Sequence, residues 1–248
     1  MNKSTLYRSG LIAFSCAVLG LASAQAQDLT WFSDGTQETG LENAKGFRIN
    51  IVDLNNDDYP DLILENGQAT ISKRDTLGRL YLNTQKPGST DPRERIFVDI
   101  THESGIYVNP DASQDNRVID MMTLADVNND GFMDMVTGTY YSKLEAVTFP
   151  DDRCEVMLGD GTGKFTLVPN NGLHELGLIN ANGFTFLDYD LDGNIDLYIS
   201  TLFKDLTNNI FMEDFLMRGN GDGTFTNMTA EAGMINTKFP VQGATSTD

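Results

Sequence analysis

Basic residues, histidine, cysteine and long apolar runs are all scarce in this chain of 248 residues. Lysine and arginine total 17 against 36 acidic residues, a formal net charge of −19. That balance argues against a nucleic-acid partner, whose phosphates would be repelled, and it disfavours an anionic lipid surface. The two histidines, His102 and His174, belong to no metalloprotease motif and lie beside no plausible nucleophilic serine. They are expected to be surface or hydrogen-bonding residues, and no catalytic constellation emerges elsewhere. Past the first 26 residues Cys154 is the only cysteine. An internal disulfide in the mature chain is therefore excluded, and Cys154 is expected to be a small packed residue. No apolar stretch approaches the roughly 20 residues of a membrane span.

The start of the chain reads as a secretory leader, residues 1–26. Lys3 and Arg8 give a positive start, Leu11 to Leu21 a short apolar core, and Ala24-Gln25-Ala26 a small-residue cleavage site before Gln27. Losing Lys3 and Arg8 moves the formal charge from −19 to −21. The mature chain, 27–248, is thus expected outside the cytoplasm, secreted or periplasmic. Without disulfides, metal is the expected staple of an extracellular protein.

What the chain does have is a nine-residue stretch in three copies: DLNNDDYPD from Asp53, DVNNDGFMD from Asp126 and DYDLDGNID from Asp188. Oxygen-bearing side chains recur at positions 1, 3, 5 and 9. They are Asp53, Asn55, Asp57 and Asp61; Asp126, Asn128, Asp130 and Asp134; Asp188, Asp190, Asp192 and Asp196. Alternate residues of a tight loop converge on one centre, where clustered carboxylates repel one another unless a hard cation sits between them. Ca²⁺, with its six to eight oxygen ligands, suits that centre. Position 7 (Tyr59, Phe132, Asn194) is expected to add a backbone carbonyl. Position 6, which must turn at positive φ, is Gly131 and Gly193 in two copies and Asp58 in the first. An EF-hand would need a glutamate at position 12. Here Leu64, Thr137 and Ile199 stand there, in strand-like runs, so strand–loop–strand sites are expected, one Ca²⁺ per loop. The competing reading is metal-free acidic turns, since Asp and Asn favour turns in any case.

A second motif alternates with the loops: a phenylalanine, a few polar residues, then a small-residue turn. It runs from Phe32 to Leu41, Phe97 to Ile106, Phe165 to Leu178 and Phe225 to Met234. Around each loop the sequence alternates in the manner of strands, as at Phe47, Ile49 and Ile51 before the first loop and Leu62-Ile63-Leu64 after it. Further strands are expected at Leu80–Leu82, Val156–Leu158 and Phe215–Met217, with glycine-rich turns leading to fourth strands at Phe97, Phe165 and Phe225. The fold expected is all-β. Each repeat would form one four-stranded antiparallel blade of a β-propeller, with blades at 47–106, 107–178 and 179–234 and the start of another at 235–248. About three blades do not close a ring, so the propeller is expected to be incomplete, its remaining blades missing from this chain.

These loops and turns resemble the FG-GAP or VCBS-type repeats of integrin α-chain propellers and of many secreted bacterial proteins. The stretches ending GDGTF and EAG are especially similar to propellers that carry an ASPIC/UnbV-type module. The resemblance spans essentially 28–248. It implies Ca²⁺ ligation by the twelve side chains named above. The function expected is extracellular binding or adhesion, to a protein or a glycan, with calcium structural and no enzymatic activity. Asp58 departs from the usual glycine, and Asn55 and Asn128 stand where many members have Asp. The third loop, with four aspartates, is expected to bind most tightly. The alternatives are the propeller scaffold of a secreted polysaccharide lyase and a purely structural part of a larger surface protein. The chain shows no basic cluster able to neutralise a uronate, which weighs against the lyase. Antiparallel topology puts the connections between second and third strands on the side opposite the loops. Tyr140, Tyr141, Phe149, Phe203 and Phe211 there are candidates to contact a partner, or equally to pack over blade edges.

Overall fold

The computed structural model describes residues 33–46, 48–65, 78–108, 117, 119–140, 153–205, 207–234, 241 and 243–246. Residues 1–26, expected to form a leader, and Phe32, Phe47, Tyr141 and Phe149 lie outside the described residues. The chain divides into a unit Met1–Gly35 and a unit Thr36–Asp248, which holds every described strand.

Three sheets, each of four antiparallel strands in sequence order, make up the second unit. The first contains β1 (Arg48–Val52), β2 (Asp61–Glu65), β3 (Arg79–Gln85) and β4 (Arg95–Asp99). The second contains β5 (Met121–Ala125), β6 (Asp134–Gly138), β7 (Glu155–Gly159) and β8 (Phe165–Leu167). The third contains β9 (Ala181–Leu187), β10 (Asp196–Thr201), β13 (Phe215–Gly219) and β14 (Phe225–Asn227). Between β10 and β13, a two-stranded ribbon of β11 (Phe203–Asp205) and β12 (Ile210–Phe211) is inserted. Among the described residues helix is confined to one 3₁₀ turn, His174–Leu176, and no helix is long and apolar enough to cross a membrane. None of the sheets closes on itself. The fold is all-β, built of successive propeller-type blades and consistent with an incomplete propeller.

Strand alternation explains how the sheets stack. In β5 and β6, Met122 and Met135 turn to the first sheet and join Ile63, Leu80, Ile106 and Met157 in one core cluster. Val136 and Val156, on the opposite pleat, join Leu197, Ile199 and Met217 in a second. A residue at i and its neighbour at i+1 thus serve different interfaces. That is why these strands read as nearly continuous apolar runs. Ile49 and Ile51 occupy the same places in β1 as Met122 and Leu124 in β5, four and two residues before a loop. They stand 55% and 66% exposed, because their pleat points away from the second sheet.

The second sequence motif proves to be the seam between repeats. Phe97, Phe165 and Phe225 each donate their N–H to a carbonyl in the preceding turn, those of Thr39, Ser104 and Asn171. The next residue in each turn is a glycine at positive φ (Gly40, Gly105, Gly172). Its α-carbon comes against the carbonyl of the same phenylalanine. In two copies a threonine completes the motif: Thr101 and Thr229 accept the N–H of Leu80 and Leu216 on their hydroxyls. Asp99 and Asn227 fix those threonines in turn.

Two expectations need correction. The fourth strand of the first sheet begins at Arg95 rather than Phe97, because its longer hairpin extends the pairing to Gln85–Arg95. Phe203 is not a loop residue. It lies buried in the β11–β12 ribbon, with the Tyr140 ring edge-on at 6.1 Å. For Phe203 the packing reading holds: the short ribbon pairs the backbone locally and turns its ring inward. Phe211 is half-buried and Tyr140 is 37% exposed.

Candidate metal centre

The three acidic loops join β1 to β2, β5 to β6 and β9 to β10, at the same end of each sheet, and they share one hydrogen-bond plan. At position 1, both carboxylate oxygens of Asp53, Asp126 and Asp188 accept the N–H groups of positions 5 and 6. At position 5, Asp57, Asp130 and Asp192 accept the N–H of position 7, that is of Tyr59, Phe132 and Asn194. At position 3, Asn55 and Asn128 accept the N–H of position 5. These are Asx-type turns, in which a side-chain oxygen replaces a backbone acceptor and winds the chain tightly.

Position 6 has positive φ in all three copies: 67° at Asp58, 89° at Gly131 and 88° at Gly193. Asp58 therefore adopts the glycine conformation rather than reshaping the loop. A second left-handed residue was not read from the sequence. Position 4 also has positive φ, at Asn56, Asn129 and Leu191. In two copies its amide reaches the next loop: Asn56 Nδ2 donates to the Gly131 carbonyl at 3.5 Å, and Asn129 Nδ2 to Asn194 Oδ1 at 3.1 Å. Asparagine, which tolerates this conformation better than most residues, was the available signal.

Position 9 differs in kind from the others. Asp61, Asp134 and Asp196 are fully buried. One oxygen of each accepts the N–H of position 2 (Leu54, Val127, Tyr189) at 2.8 to 2.9 Å. The other oxygen accepts an N–H of the third strand (Asn83, Gly159, Gly219) at 2.7 to 2.9 Å. The position 9 carboxylate, at the start of the second strand, therefore clasps its own loop to the third strand. Burial raises the pKa of all three, and that of Asp134 reaches about 6. The two backbone N–H bonds lower it, but the loop's own carboxylates, Asp126 and Asp130 around Asp134, raise it further.

The donor set is compatible with a calcium ion. Oxygens of Asp188, Asp190 and Asp196 lie within 4.8 Å of one another. Oxygens on opposite sides of one calcium, with bonds of about 2.3 to 2.6 Å, would be separated by a similar distance. Carboxylate oxygens carry two acceptor sites each, so accepting an N–H does not prevent ligation. Asp53, Asn55, Asp57, Tyr59 and Asp61 occupy the corresponding places in the first loop. Asp126, Asn128, Asp130, Phe132 and Asp134 do so in the second, and Asn194 and Asp192 complete the third.

Elsewhere, Glu155 is buried, and its two oxygens meet His174 Nδ1 and Asn171 Nδ2. Asn171 in turn accepts the N–H groups of Leu173 and His174. His174 is thereby part of a network that ties the link between the second and third sheets. A cavity of about 520 Å³ between Gly105, Phe165 and His174 adjoins it. Cys154 is buried, and its thiol is pushed up to about 12, mainly by that burial.

The FG-GAP-like repeat family matches residues 126–199. The matched span runs from the first residue of the second loop into the strand after the third, and it supports an FG-GAP-type repeat protein. No curated protein matches the chain.

Proposed function

We propose that this is a secreted calcium-binding repeat protein that holds one structural Ca²⁺ in each strand–loop–strand site and binds an extracellular protein or glycan, without enzymatic activity. The observation that carries the reading is the convergence of Asp188, Asp190 and Asp196 within 4.8 Å, on a loop whose hydrogen-bond plan recurs at Asp53 and Asp126. Such repeats often bind Ca²⁺, and a cation offsets the repulsion that burial of position 9 imposes. Because the ligands are gathered only in the folded chain, ligation free energy becomes folding free energy. The leader-like pattern of residues 1–26, a positive start, a short apolar core and a small-residue cleavage site, favours export. The side opposite the loops, with the exposed ring of Tyr140, is the surface offered to a partner.

A thermal melt in millimolar calcium and again in excess chelator tests the metal assignment. A rise in Tm of several degrees with calcium is expected, and identical melts would overturn it. For the partner surface, the check is binding of candidate glycans and matrix proteins by the wild type and by Tyr140→Ala. An unchanged profile would remove Tyr140 from the site.

A further inference from the structure

The first loop is not equivalent to the other two, and the difference lies outside the loop. Arg95 of β4 places Nη2 3.2 Å from Asp57 Oδ2, the position 5 carboxylate. Its Nε donates to Asn83 Oδ1 at 3.0 Å, and its guanidinium carbon lies 3.4 Å from the ring centroid of Tyr59, at position 7. The Arg95 side chain is only 16% exposed. An arginine held by a carboxylate, an amide oxygen and an aromatic face is fixed, because its planar fork loses little freedom on pairing.

The other two sheets have nothing of this kind in the same places. Asn83 faces Phe97 in register as Gly159 faces Phe165 and Gly219 faces Phe225. Two residues before those phenylalanines stand Arg95, Gly163 and Gly223. In the second sheet the position 7 side chain, Phe132, packs instead against Gly161, and in the third Asn194 lies against Gly221. The family match at 126–199 covers those two loops and not the first.

We infer that Arg95 is a built-in cation of the first loop, which competes with Ca²⁺ for Asp57 and leaves the chain with two tight calcium sites and one weak one. The inference rests on the calcium reading of the loops. Its sign follows from charge: Asn55 and Asn128 make the first and second loops each one carboxylate poorer than the third, affinity falls as ligand charge is lost, and only the first loop carries Arg95 as well. A guanidinium on Asp57 both neutralises that ligand and repels a divalent ion beside it. To bind, the ion must displace Arg95 from its partners.

The test is calcium titration of the purified protein by calorimetry, in the wild type and in Arg95→Gln. The wild type should show two tight sites and a third at least tenfold weaker. In R95Q the third should tighten at least tenfold, and the gain should vanish in R95Q/D53A, which assigns it to the first loop. Arg95→Lys, which keeps the charge, should stay weak. Arg95→Gly, the residue of the other two sheets, stands in if R95Q does not fold. Three equal sites in the wild type, or a third site indifferent to R95Q, would overturn the inference while leaving the calcium reading intact. No binding at any loop would overturn both.

Discussion

A methyl group added to Gly172 would sit 1.9 Å from the carbonyl oxygen of Phe225. The two residues belong to successive repeats, and the close approach is repeated at Gly105 and Phe165. Gly172 also has φ of 85°, where a side chain is strained whatever the space. Gly172→Ala should therefore destabilise the protein by more than about 2 kcal/mol, through strain and steric displacement together. Denaturant unfolding would measure it. A loss within about 0.5 kcal/mol would mean that the seam is loose.

Positions 5 and 9 of the loops should separate metal binding from folding. Asp134→Asn turns a buried acceptor of two N–H groups into a group with one oxygen, so it should cost about 2 to 4 kcal/mol in chelator as well as in calcium. Asp192→Asn alters an exposed carboxylate of the proposed site and should leave the chelated melt almost unchanged while shrinking the rise in Tm expected from calcium. Equal effects of the two substitutions in chelator would contradict the clasp described for position 9.

Acid should stabilise the chelated protein over a limited window. The folded pKa of Asp134, about 6, lies above the ordinary 3.8; Asp61 and Asp196 are raised in the same direction by burial. The folded state thus binds protons more tightly than the unfolded state, so stability falls as pH rises from about 4 to about 6. Asp160 and Asp222, lowered chiefly by threonine hydroxyls, act in the opposite sense only below that window. Melts in chelator should give a higher Tm at pH 5 than at pH 7. With calcium present the order should reverse, because ligation requires the deprotonated carboxylates.

Equivalent places in the first strands of successive sheets should respond differently to truncation. Met122→Ala removes a buried side chain and should cost about 2 to 5 kcal/mol. Ile49→Ala, at the same place in β1 but 55% exposed, should stay within about 0.5 kcal/mol. Comparable losses would show that Ile49 is covered in solution.

The Cys154 thiol, buried and pushed up to about 12, should resist alkylation at pH 8 in the native protein and react at once in denaturant. Rapid native labelling would show that the second core cluster opens.

Much of this architecture is legible in the sequence because the loops and strands obey short periods. Spacing alone placed Asp188, Asp190 and Asp196 together; alternation placed β5 and β9, and the short apolar runs after the loops placed β6 and β10. Facing is harder to read. Ile49 and Met122 have the same local pattern, and only the neighbouring sheet decides which one is buried. The clasp at position 9 was equally hidden, since Asp61 is drawn to Asn83 by a third strand that no spacing rule links to the loop. Arg95 escaped for the same reason: its partner Asp57 lies 38 residues away, and Arg95 itself stands on the β3–β4 hairpin, which is longer than its counterparts in the other two sheets.

The phenylalanine seam sets the order of events in folding. The turn that receives Phe97 precedes β1 in the chain, and the turn at Ser104 precedes β5, so each repeat is gripped by a segment made most of a repeat earlier. As the chain emerges from the ribosome, that turn must wait for the last strand of the following sheet. Closure of each repeat is a long-range event, slow in comparison with hairpin formation. A chain cut short inside a repeat keeps its receiving turn and lacks the strand that fills it.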